Sequence, residues 1–201
     1  MVNFLSNLDR LLFLAINGWN HPIFDTFFYF VSETTSWIPL YLLLLYFFQR
    51  RYGWRGFGFG LLFIVLLISL ADSGSVHLFK NVFERLRPCH QPDLEGMVHL
   101  VRGHCGGKYG FISSHAANTM AIALFFGLAL RKTWIWIALF TYAFLTGYSR
   151  IYLGVHYPFD VLGGFMYGGI AGAWVYLLFH WLIRKIPFIK PPLSFESNSS
   201  T

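Results

Sequence analysis

Residues 57–80 read FGFGLLFIVLLISLADSGSVHLFK, apolar from Phe57 to Ala71 and then polar up to a lysine. Crossing the hydrocarbon core of a bilayer takes about 20 largely apolar residues. The stretch from Phe57 to about Phe79 supplies one such segment, with a polar far end. Working outward, four more segments qualify: Ile23 to Phe48, Ser114 to Leu130, Trp134 to about Gly147, and Phe159 to Ile183. The first carries Asp25 and Glu33, so a kink or break is expected between Ser32 and Pro39. Composition agrees: 56% of the 201 residues are hydrophobic and only 12% charged, against about 25% charged in soluble chains. The expected fold is an all-α integral membrane helical bundle of five transmembrane helices.

The ends are read separately. Asp9 and Arg10 precede a short apolar run, Leu11 to Ile16, which is too short to cross and predicts an N-terminal amphipathic interfacial helix. No basic leader or small-residue cleavage site precedes it, so no cleavable signal peptide is expected. Residues 191–201 are rich in Pro and Ser and read as a disordered C-terminal tail, leaving 1–190 as a single domain. In the last span Gly164, Gly168 and Gly172 recur every four residues, a spacing that lets a neighbouring helix approach closely.

The net charge of +6 is spread among apolar stretches and forms no single stripe, which excludes nucleic acid as a partner. Arg50, Arg51 and Arg55, then Arg131 and Lys132, then Arg184, Lys185 and Lys190 all fall on one side of the bundle. The positive-inside rule makes that side cytoplasmic. The opposite face still carries Lys80, Arg85, Arg87, Arg102, Lys108 and Arg150. Positive charge there calls for a reason, and an anion-binding site supplies one.

Three clusters meet on this outer face. Lys80 and Arg87 are seven apart, so a continuing helix puts them on one side, and Arg offers planar paired donors to a phosphate. Ser113, Ser114 and His115 open the third span, where free N–H groups and the helix dipole favour an anion. Ser113 either donates a hydroxyl or caps the helix. Ser149, Arg150, His156 and Asp160 form the third cluster. A carboxylate bonded to one nitrogen of His156 leaves the other free to attack, and His115 is then available to protonate a leaving oxygen. Singly, each part has a plainer use: a surface histidine, a serine cap, a loop boundary at Arg87-Pro88. It is their joint placement on one face that indicates chemistry.

The pattern Lys80-x6-Arg87-Pro88, then Ser113-x-His115, then Ser149-Arg150-x5-His156-x3-Asp160 resembles the type 2 phosphatidic acid phosphatase superfamily. The resemblance covers about Phe57 to Gly172. It departs at Ile112-Ser113-Ser114-His115, where the family usually has Pro-Ser-Gly-His. Ser114 still offers its N–H, so altered pocket geometry is expected there without loss of activity.

The resemblance implies that Lys80, Arg87, Ser113 and Arg150 bind phosphate with Ser114 beside them. It further implies that His156 forms a phosphohistidine, His115 protonates the leaving group and Asp160 orients His156. No metal or other cofactor is implied. The expected substrate is a membrane lipid phosphate, undecaprenyl diphosphate first. A lipid A phosphatase (1- or 4'-) and a phosphatidylglycerol phosphate or phosphatidic acid phosphatase are the alternatives. The expected setting is the bacterial inner membrane, with the site facing the periplasm or the exterior. A non-enzymatic anionic-lipid-binding membrane protein is the other class, but it has no use for His156 beside Asp160.

Cys89 and Cys105 lie in the outer loop, where oxidation is permitted, and a disulfide between them is expected. A zinc site built with His90, His99 and His104 is a rival whose spacing fits no common zinc pattern, and free thiols are the third reading. His77 and Glu84 flank Lys80 at three and four residues. Glu84 is placed to pair with Lys80, or both serve structure. Asp25 and Glu33 are costly if buried in lipid: either Glu33 contacts an interfacial helix or the substrate headgroup, or both acids sit at the outer interface where water reaches.

Overall fold

The computed structural model of the chain describes residues 2–186, with side chains from Phe4 onward. The expected tail at 191–201 and the last four residues of the 1–190 domain lie outside the described residues. The helices are α1 (Val2–Gly18), α2 (Pro22–Ser32), α3 (Ile38–Gly74), α4 (Asn81–Phe83), α5 (Ser114–Leu130), α6 (Thr133–Tyr152) and α7 (Pro158–Ile183). A π-helical turn, Ser75–Lys80, joins α3 to α4. Among the described residues there is no strand, only one isolated bridge between Leu86 and Tyr109.

Helix α3 is two limbs, 38–52 and 54–74. Gly53, at φ 68° and ψ 175°, breaks the helical path between them, in a region that favours glycine because it lacks Cβ. The chain folds back there, and the Phe48 ring lies against Gly60 across the turn. Arg50, Arg51 and Arg55 flank this reversal. Segment 34–83 and α7 each contain an 18-residue stretch apolar enough, in a helix long enough, to cross a membrane. Met166, Ile170 and Trp174 on α7, and Leu62 and Val65 on the second limb, are exposed. An apolar stripe facing outward from an apolar helix is a lipid-facing surface.

Four of the segments singled out in the sequence fall on the second limb, α5, α6 and α7, and the first needs correction. Ile23 to Phe48 is not one span. Helix α2 ends at Ser32, Glu33 is extended, and a 3-10 turn over Thr34–Trp37 precedes Ile38. The Trp37 indole donates to the Val31 carbonyl at 2.8 Å and closes this corner. Pro39 then occupies the first turn of the limb, where its missing N–H costs nothing.

Helix α5 is the central helix, packed on α7, α6 and α3. The glycine spacing in α7 makes this possible. A Cβ on Gly168 would fall on the backbone of Ala117, and one on Gly172 would come within 2.5 Å of the Ala121 carbonyl oxygen. An aromatic cluster of Phe48, Tyr52, Phe125 and Phe179 fills the bundle near the Gly53 turn.

Helix α1 has the expected amphipathicity with its polar side inward. Phe4, Leu5, Leu11 and Leu12 are exposed, whereas Asp9, Phe13 and Asn17, four residues apart, are buried. Asn17 ties this helix to the outer loop: it donates to the carbonyls of His99 (2.9 Å) and Tyr152 (2.8 Å) and accepts from His99 N–H. Asp25 accepts from the Tyr152 hydroxyl at 2.8 Å and lies 3.0 Å from His99 Nε2.

Candidate active site

Lys80 and Arg87 do not share a helix face. The helix ends at Phe83, Glu84 is left-handed at φ 45°, and the chain runs extended past Leu86. A carboxylate-bearing residue in that conformation ends the helix before Arg87 is reached. Lys80 comes from the π-helical turn and donates from Nζ to Ser114 Oγ at 2.6 Å. Arg87 comes from the loop, with Nη1 on the Cys105 carbonyl (2.9 Å) and Nε on the Tyr109 carbonyl (3.3 Å). The Glu84–Lys80 pair is not formed among the described residues. His77 is exposed and stands apart from the cavity that Lys80 lines.

Ser113 is the N-cap of α5, its hydroxyl accepting from Ala116 N–H at 3.5 Å. It is fully buried and does not line the cavity. Of the two serines it is Ser114 that lines the cavity, and its hydroxyl also meets Ser75 Oγ at 2.6 Å. Ser114, the position where the sequence departs from the pattern it resembles, therefore holds the lysine.

Arg150, in the last turn of α6, reaches the same cavity and donates from Nη1 to Ser32 Oγ on α2. His156 follows in the 153–157 loop, 1% exposed. Its Nδ1 lies 3.4 Å from Asp160 Oδ2. That oxygen also accepts from Tyr157 N–H at 3.0 Å, because Asp160 stands in the first turn of α7 behind Pro158. Burial, then the nearby Arg87, Arg150 and Lys80, holds the His156 imidazole well below its ordinary range. A neutral imidazole keeps the lone pair a nucleophile needs.

Asp160 is buried, yet its charge is matched. Arg85 Nη1 donates to Asp160 Oδ1 at 2.8 Å, and Arg85 Nη2 donates to Asp9 Oδ2 at 2.7 Å. Asp9 Oδ1 in turn accepts from Phe159 N–H at 2.9 Å. The sequence singles out neither partner: Arg85 stands there only as one more outer-face cation and Asp9 only as a polar flank of α1. Nothing in the spacing joins positions so far apart in the chain.

Lys80, Arg87, Ser114, His115, Arg150 and His156 line one cavity of about 720 Å³. Its deeper wall is apolar, with Leu44, Leu45, Ile64, Ile68, Ile122 and Phe126. The surplus cations on this face thus divide. Three face the cavity and Arg85 is neutralised. Arg102 stacks on the Tyr29 ring at 3.7 Å, and Lys108 lies 5.5 Å from the Tyr109 ring centre. Cys89 and Cys105 are joined by a disulfide, which closes the loop whose carbonyl holds Arg87.

A helical body with an apolar outer surface, gathering cations and two histidines at the head of an apolar cavity, is the build of a lipid-phosphate hydrolase. The chain belongs to the PAP2 superfamily, whose family model matches residues 57–184. It is a membrane lipid phosphatase. It is similar to the lipid A 4'-phosphatase of Bacteroides thetaiotaomicron, 34% identical over 92% of this chain and 83% of that one. The undecaprenyl-diphosphatase of Sulfolobus acidocaldarius is 31% identical over 71% of this chain and 61% of that one. Among solved structures, the crystal structure of Aquifex aeolicus LpxE superposes with a TM-score of 0.61 at 31% identity, covering 84% of this chain and 94% of that one.

Proposed function

We propose that this enzyme removes a phosphate monoester from a lipid A-type glycolipid at the outer face of a bacterial inner membrane, with residues 1–190 acting as one catalytic domain. The reading rests on one observation above the rest: three cations and His115 converge with His156, itself paired to Asp160, at the head of an apolar cavity. The substrate choice is supported by similarity that runs nearly the length of the lipid A 4'-phosphatase and a shorter part of the undecaprenyl-diphosphatase. This reverses the order of substrates that the sequence motifs suggest.

In the proposed reaction the free nitrogen of His156 attacks phosphorus, and a P–N bond forms as the bond to the lipid oxygen breaks. His115 gives that oxygen its proton. Lys80, Arg87 and Arg150 bind the phosphoryl oxygens and offset the charge that develops on them. Water then attacks phosphorus with His115 taking its proton, which releases inorganic phosphate and free His156. Asp160 holds the imidazole in the attacking orientation.

The test is phosphate release by the purified full chain from lipid A, undecaprenyl diphosphate, phosphatidic acid and phosphatidylglycerol phosphate. Lipid A should have the highest kcat/KM, and His156→Ala should abolish release while still binding lipid phosphate. Faster turnover of undecaprenyl diphosphate would overturn the substrate reading. Full hydrolysis by His156→Ala would overturn the nucleophile. Loss of activity in chelator, restored by Mg²⁺ or Zn²⁺, would overturn a mechanism carried by these side chains alone.

A further inference from the structure

Below its cationic head the cavity carries polar groups for which phosphate chemistry has no use. Tyr142, Thr146 and Arg150 follow one another at four-residue steps, so they form a single stripe along α6, and all three line the cavity. At 1.5 Å rise per residue, Thr146 and Tyr142 lie roughly 6 and 12 Å down the helix from Arg150.

Thr146 is 2% exposed, and its hydroxyl has no hydrogen-bond partner. Across the cavity on α5, Asn118 Oδ1 is buried and equally without one. One turn deeper, the hydroxyls of Tyr142 and Tyr41 meet at 2.7 Å. Two hydroxyls hold two protons, and only one lies in the bond between them, so the other is free to donate. The Trp37 ring packs 4.5 Å from the Tyr142 ring and holds it in place. Buried polar groups left unpaired are unfavourable, and these stand among Leu45, Ile122 and Phe126.

We infer that the Tyr142–Thr146 stripe is a second subsite, which hydrogen-bonds the carbonyls or hydroxyls of amide- or ester-linked acyl chains and so selects acylated lipid phosphates over polyprenyl phosphates. The inference rests on the proposed reading that the lipid occupies this cavity with its phosphate at the cationic head. A polyprenyl chain is pure hydrocarbon from the first carbon beyond the phosphate ester. Lying along α6, it would leave the Thr146 hydroxyl and the spare tyrosine proton desolvated and unpaired. An acylated headgroup places carbonyl oxygens within a few bonds of the phosphate, at the depth where these donors stand. Discrimination by buried groups that only one ligand can pair is the stronger form of selectivity.

The experiment compares wild type, Thr146→Val, Thr146→Ser and the Tyr41→Phe/Tyr142→Phe pair, each as the full chain in detergent micelles. The readout is kcat/KM on lipid A, phosphatidic acid and undecaprenyl phosphate, with thermal melting as the check on folding. Thr146→Val should lower the ratio of acylated to polyprenyl kcat/KM about five- to tenfold, the size of one buried hydrogen bond. Thr146→Ser should keep the ratio, and the tyrosine pair should lower it. An unchanged ratio in Thr146→Val and in the tyrosine pair overturns the subsite and leaves these hydroxyls to bound water. If wild type ignores lipid A but the ratio on phosphatidic acid still falls, the lipid A reading fails and the subsite stands. If lipid A is hydrolysed with an unchanged ratio, the subsite fails alone. Hydrolysis of undecaprenyl phosphate with neither acylated lipid turned over overturns both.

Discussion

Arg85 donates to Asp160 Oδ1 at 2.8 Å, while the other oxygen of Asp160 faces His156 Nδ1 at 3.4 Å. The guanidinium therefore acts on the imidazole through the carboxylate, and its second arm holds Asp9 on α1. In the proposed reaction it is a positioning residue, and α1 is part of the same support.

Arg85→Gln should lower kcat about 10- to 100-fold, the range for groups that orient a reacting side chain, with KM nearly unchanged. Asp160→Asn should lower kcat by about 10²–10⁴, as when a histidine loses the carboxylate that fixes its tautomer. Steady-state kinetics on one lipid phosphate checks both. A rise in KM with unchanged kcat in Arg85→Gln would show that it binds substrate instead.

Ser114→Ala should raise KM severalfold. Its hydroxyl accepts from Lys80 Nζ and meets Ser75 Oγ, each at 2.6 Å, so removal frees the lysine to swing. Ser75→Ala should do the same more weakly, and the double variant should cost less than the sum, since the two act on one lysine. Strict additivity in a double-mutant cycle would separate Ser75 from this site.

Cys89→Ala/Cys105→Ala should destabilise the fold by roughly 3 kcal/mol, the loop-closure figure for about 15 residues; the sequence separation is 16. KM should rise as well, because the Cys105 carbonyl anchors Arg87. Melting temperature and kinetics, each with and without a reductant on wild type, check the two effects. A lower melting temperature with KM unmoved would detach the disulfide from Arg87.

Gly168→Ala and Gly169→Ala should differ sharply. A Cβ at 168 collides with the Ala117 backbone, whereas one at 169 meets only Met120 Cγ at 3.7 Å. The first should cost about 1–3 kcal/mol or more, and the second should be close to neutral. Thermal melting of the two purified variants decides this, and equal melting temperatures would contradict the α5–α7 packing.

Much of the arrangement was legible before any coordinates. Span positions follow from apolar length, the break after Ser32 follows from Glu33 and Pro39, and the cationic face follows from charge on the wrong side of the bundle. A seven-residue spacing puts Lys80 and Arg87 on one helix face, but the helix does not continue, because a left-handed Glu84 is decided by the packing around it and not by local propensity. The choice between donor and cap at Ser113 stays open in the sequence for a related reason. Only the position of Lys80 across the cavity shows that the Ser114 hydroxyl meets it while Ser113 caps α5.

The sequence by itself determined the membrane class, the family and the set of chemical groups. These depend on composition and on spacings of seven residues or fewer, which survive without knowledge of the fold. Tertiary structure decided which cations are free and which are spent, since Arg85 is neutralised by carboxylates far away in the chain while Arg87 is aimed by a loop carbonyl. It also decided that a polar stripe runs beneath the cationic head of the cavity. Long-range pairings leave no periodic trace in a chain, because what brings them together is the packing of α1, α5, α6 and α7 around a shared apolar interior.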